Sequence, residues 1–127
     1  MESQGRKTRG GSKLQILRRE ESLRSRQYRG VLVSVIYEWS SLEILRIEME
    51  SGSALVDREI GTFPAIHFII EGSPVFVIAN QSCDLIPGDS IAFRADESYR
   101  ISNTASSRSI ILTIVDKSSE QEGNGAA

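Results

Sequence analysis

His67 is the only histidine and Cys83 the only cysteine in the 127-residue chain, so the side chains best suited to proton transfer, metal ligation and thiol chemistry occur once each. One cysteine allows neither an intramolecular disulfide nor a cysteine-built zinc site within one chain. Cys83 lies in an alternating stretch with nothing beside it to activate the thiol, and it reads as a small apolar residue. His67 sits where alternation puts Ala65, His67 and Ile69 on one strand face. The plainest role for such a histidine is a hydrogen-bonded core residue. The third concentration of chemistry is charge. Residues 1–30 hold nine Lys/Arg against three acids, net +6, and the remainder holds six against fourteen, net −8. A basic segment of this kind suits phosphate backbones. Its plainer role is a solvated, partly disordered tail attracted to the acidic body. Tyr28 is the one aromatic near these charges, so a base-stacking platform is poorly supported.

The elements that must position these residues are short strands. The length suits one domain, and a composition of 39% hydrophobic and 25% charged residues fits a globular class rather than a disordered one. No run approaches the roughly 20 apolar residues of a membrane span and no secretory core opens the chain, so the expectation is a cytoplasmic protein with no membrane partner. From residue 31 onward, β-branched and aromatic runs alternate with turn chemistry. This predicts nine strands, at 31–39, 42–50, 54–60, 65–71, 74–79, 82–86, 90–94, 98–102 and 108–115. Strands 31–39 and 42–50 form a pair, and 65–71 and 74–79 form a hairpin across Gly72-Ser73. Leu14, Ile16, Leu17 and Leu23 give a short helix or an edge strand, with a spacing that fits neither template well. The organisation is therefore a basic, partly disordered arm over 1–30, an all-β barrel over 31–116 and a disordered tail over 117–127.

Two stretches, Phe68-Ile69-Ile70-Glu71-Gly72 and Ile86-Pro87-Gly88-Asp89-Ser90-Ile91, resemble the cupin superfamily, whose jelly-roll barrel carries the motifs G-x(5)-H-x-H-x(3,4)-E-x(6)-G and G-x(5)-P-x-G-x(2)-H-x(3)-N. Counting from Gly52 brings the first motif through Arg58, Ile60 and Ala65 to Gly72. Counting from Gly88 brings the second through Arg94, Asp96 and Tyr99 to Asn103. The bracketing glycines and asparagine are kept, while the four positions that the family fills with metal ligands hold Arg58, Ile60, Ala65 and Tyr99. Arginine stays protonated, Ile60 and Ala65 have no donor atom, and one tyrosine does not hold a divalent ion. No metal and no cofactor is expected. Arg94 and Asp96 replace the family's Pro and Gly, which alters the loop leading to Tyr99.

The resemblance implies an all-β, cupin-type double-stranded β-helix in which Arg58, His67 and Tyr99 share the interior beside Ile60 and Ala65, a small-ligand site with a few polar groups in an apolar cavity. The leading expectation is a metal-free module that binds or senses a small anionic or polar ligand, or serves structurally, without catalysis. Tyr37 and Trp39 are candidate anchors of a homodimer. The alternatives are a metal-independent isomerase or lyase with His67 as base and Tyr99 as acid, and a cupin-type accessory to transcription regulation with a basic nucleic-acid-binding arm. The plainer roles are a rim salt bridge for Arg58 and volume filling for Tyr99.

Overall fold

The computed structural model describes residues 14–56, 63–93 and 97–118. Ten strands form among them: β1 (Arg24–Tyr28), β2 (Val31–Trp39), β3 (Leu42–Met49), β4 (Ala54–Val56), β5 (Ala65–Glu71), β6 (Val75–Ile78), β7 (Gln81–Asp84), β8 (Ser90–Phe93), β9 (Tyr99–Ser102) and β10 (Ser109–Asp116). They build two antiparallel sheets, one in the order β1-β2-β3-β10-β5-β8 and one in the order β4-β9-β6-β7. The period-2 pattern sets which side chains face inward: along β10 and β3 every second residue is buried. Val31, Leu45, Ile47, Met49, Ile69 and Ile111 from the large sheet meet Leu55, Phe76, Tyr99 and Ile101 from the small one to make a single core.

The first three strands show how local sequence sets the faces. β2 pairs with β3 as expected, with a bulge between Val35 and Tyr37. That bulge flips the phase, so Tyr37 stands opposite Ile44 and Trp39 opposite Leu42 on the outer face instead of entering the core. β1 falls within the segment read as an arm: Arg24–Tyr28 pairs with Val31–Val35 along the large sheet's edge. The few apolar residues of that stretch give no strand signal of their own, because four of the five side chains in β1 are exposed.

One pairing differs from expectation. Residues 65–71 and 74–79 do not form a hairpin: β5 pairs with β10 and β8, whereas β6 pairs with β7 and β9. At Gly72-Ser73-Pro74 the chain crosses between sheets. Gly72 has φ +86°, and a Cβ there would lie 2.4 Å from Ser109 Oγ and 2.6 Å from the Arg108 carbonyl. A tight Gly-Ser reversal and a close-packed sheet crossing carry the same residue signal, so spacing alone does not separate them.

Asn103 ties the barrel's lower end. Its buried Nδ2 donates to the carbonyls of Met49 and Ser107 at 3.0 and 2.9 Å, and its Oδ1 accepts from Ser109 Oγ at 3.1 Å. Its backbone N–H and C=O meet Ser53 O and Gly52 N. The first glycine of one motif and the last asparagine of the other are thus direct neighbours.

Candidate functional site

His67 lies at the centre of β5, opposite Thr113 of β10 and Ile91 of β8. The alternation read from sequence is realised, because His67 and Ile69 are buried and Ala65 half-buried on one face. The imidazole is wholly buried, and Nδ1 hydrogen-bonds Thr113 Oγ1 at 2.8 Å. Either group can supply the proton, since a hydroxyl rotates to suit either tautomer. Around the ring stand Phe76 at 5.1 Å, Phe93 stacked at 5.5 Å and Tyr99 at 6.3 Å between centroids. Phe93 and Tyr99 in turn pack at 4.8 Å. Burial among these rings lowers the imidazole pKa to about 4, because charging it there forfeits hydration. Nε2 has no hydrogen-bond partner and is the one such buried side-chain polar atom among the described residues.

Of the residues read from sequence, the structure brings together His67, Ala65 and Tyr99 on the inner surface. Tyr99 is nearly buried on β9 but does not hydrogen-bond Nε2. Arg58 and Ile60 lie outside the described residues, as do Arg94 and Asp96. Sequence reasoning missed Thr113, Phe76 and Phe93. A threonine in the apolar phase of β10 was the available signal, yet its partnership with His67 needs the β5–β10 pairing, which strand spacing does not specify. Asp89 organises the turn before β8, with Oδ2 accepting from Ile86 N at 2.9 Å.

The described positions of the motif frame do not fit a divalent cation. Ala65 offers no donor and Tyr99 stands among aromatic rings. Among the described residues, no three His, Cys, Asp or Glu gather where they would ligate an ion, and protein sites for such ions take three or more ligands. What remains is a neutral imidazole with one end fixed by Thr113 and the other open to hydrogen bonding in an aromatic enclosure.

No family model matches the sequence, and none of the curated proteins does. Solved structures match in fold. The cupin domain of Schizosaccharomyces pombe Cnp3 superposes with a TM-score of 0.66 at 14% identity, covering 82% of this chain and 76% of that one. The Cupin_2 domain of an XRE family transcriptional regulator from Enterobacter cloacae gives 0.62 at 14% identity over 69% and 97%. A sugar phosphate isomerase of the cupin superfamily from Silicibacter pomeroyi gives 0.58 at 15% identity over 72% and 68%. With two antiparallel sheets, a glycine frame counted from the sequence and these superpositions, the chain has the cupin fold.

Proposed function

We propose that this chain is a metal-independent, non-catalytic cupin module that binds a small polar ligand inside the barrel, with His67 Nε2 as the polar contact. The observation that carries the reading is the wholly buried, unpartnered Nε2. A buried polar group left unpaired costs about 1–3 kcal/mol, and a ligand that completes its hydrogen bond recovers that cost on binding. The low imidazole pKa supports recognition over proton transfer, since a base of pKa about 4 is poorly matched to abstracting a proton near neutral pH. Native mass spectrometry of protein purified without denaturation tests the reading. The expected result is a retained small molecule that His67→Phe no longer carries; wild-type protein that retains nothing, or a variant that retains the same molecule, overturns it. Metal analysis without added chelator is expected to find far less than one equivalent of iron, manganese, nickel or zinc, and a full equivalent overturns the metal-independent part.

The reading extends to assembly as a homodimer. Trp39 is 77% exposed, Ile70 53% and Ile66 42%, all on strands of the large sheet, and aromatic and aliphatic anchors of this kind suit a subunit contact. A second reading, an accessory to transcription regulation, is supported by the fold likeness to the regulator domain from Enterobacter cloacae.

A further inference from the structure

The inner face of the large sheet carries a second polar constellation at its β1 end, outside the motif frame. Alternation along β3 puts Glu43 in the same inward phase as Leu45, Ile47 and Met49, where an unpaired carboxylate would be costly. Its Oε2 therefore accepts from two cations, Arg24 Nη2 at 2.9 Å and Lys117 Nζ at 3.0 Å. Arg24 is shared with Glu38 on the rim. Arg26 occupies the next inward position of β1, opposite Val33. Its Nη1 lies 3.4 Å from Tyr28 Oη, and it has no acidic partner among the described residues. Arg24, Arg26, Glu43 and Lys117 border a half-enclosed pocket of about 280 Å³ whose apolar wall includes Val33, Leu45 and Phe63.

The chemistry of this pocket is one-sided. Among the described residues, Glu43 and Glu38 balance Arg24 and Lys117, which leaves the Arg26 guanidinium as surplus positive charge beside an apolar wall. A guanidinium presents a planar fork that matches a carboxylate, and Arg26, an exposed residue, presents its fork at the pocket's solvent side, where salt screens the pair. The volume sits just below the range of about 300–1,000 Å³ typical of small-molecule sites, which suits a fragment-sized ligand. We propose that this pocket binds a small organic monocarboxylate, its charge on Arg26 and its apolar or aromatic body against Val33 and Phe63. The site is separate from the His67 enclosure, because the two share no residue.

Titration of the full 15N-labelled chain with sodium benzoate, neutral benzamide and inorganic phosphate, followed by amide shifts, tests the inference. Benzoate is expected to shift residues 24–28, 33–35 and 43–45 saturably, more weakly as salt is raised, and benzamide is expected not to. Arg26→Gln should weaken benzoate binding about tenfold, equivalent to about 1.4 kcal/mol, while Arg26→Lys retains part of it and His67→Phe leaves it unchanged. Benzamide binding as well as benzoate, or Arg26→Gln binding as wild type, overturns the proposal. Saturation of the same residues by phosphate and not by benzoate overturns the carboxylate class, and loss of benzoate binding in His67→Phe moves the ligand to the ring enclosure and overturns this pocket.

Discussion

The hydrogen bond between His67 and Thr113 couples the two residues, so that removing one side chain leaves a buried polar group of the other without its partner. Thr113→Val leaves Nδ1 as well as Nε2 unpaired, an expected loss of about 1–3 kcal/mol. The double variant His67→Phe/Thr113→Val removes every orphaned group at once, and urea denaturation should show it more stable than Thr113→Val alone. A double variant less stable than the single one would mean that the imidazole is stabilising despite its open end. The same histidine sets a pH dependence. Its folded pKa is about 4 against an ordinary 6.5, so between those values the unfolded chain takes up a proton that the folded barrel refuses. Stability is therefore full above about pH 6.5, falls as pH drops toward 4 and stops falling from this cause below it, a total of about 3 kcal/mol. Thermal midpoints of wild type and His67→Phe across that window should diverge, and parallel curves would show that the imidazole is not the group responsible. The inward phase of His67 is legible in the alternation of Ala65, His67 and Ile69. Its Thr113 partner is not, because a cross-strand neighbour 46 positions away is specified by pairing and not by local pattern.

Among the elements, the glycines of the motif frame divide into two that need glycine for conformation alone and one that needs it for room as well. Gly52, Gly72 and Gly88 all have positive φ, which costs an alanine about 1–2 kcal/mol. At Gly52 and Gly88 a Cβ would meet nothing within 4 Å, whereas at Gly72 it would strike backbone atoms of residues 108 and 109. Gly88→Ala is thus expected to lose about 1 kcal/mol and Gly72→Ala several times that, to the point of failing to fold, by chemical denaturation. Equal losses would refute the close crossing described for Gly72. Asn103→Asp is the companion test: a carboxylate cannot donate to the Met49 and Ser107 carbonyls that Nδ2 now serves, and a loss of about 2–4 kcal/mol is expected. The spacing of the glycines and the asparagine is legible in the sequence because backbone geometry fixes such positions. The hairpin expected across Gly72-Ser73 does not form, because a turn signal states that the chain reverses without stating which strand receives it.

For the whole molecule, the bulge in β2 acts together with the outer face of the large sheet, which Leu14 and Gln15 cover only in part beside Tyr37, Trp39 and Ile44. Tyr37, Ile44, Ile114 and Ile66 stand in register across β2, β3, β10 and β5, with Trp39 opposite Leu42 in the next outer row, and a sheet apolar on both faces calls for a cover. If that cover is a second copy, Ile66→Glu should convert a dimer at micromolar concentration into a monomer in sedimentation; an unchanged sedimentation coefficient would remove the face from the contact. The apolar character of strand 65–71 on both faces is plain in the sequence, but the placement of Tyr37 and Trp39 on the outer face depends on one inserted residue that no composition rule marks. β1 has its own consequence for anyone trimming the basic N-terminal segment. Arg24 and Arg26 guard a border strand, and cutting at Val31 would strip them away and bare β2, whose sequence VLVSVIYEW has the β-branched, nearly uncharged make-up of a segment that recruits further chains. A shortened protein begun there should precipitate or grow fibrils where one begun at Leu14 stays clear, so loss of nucleic-acid retention in the shorter form would report a damaged barrel and not a missing basic segment.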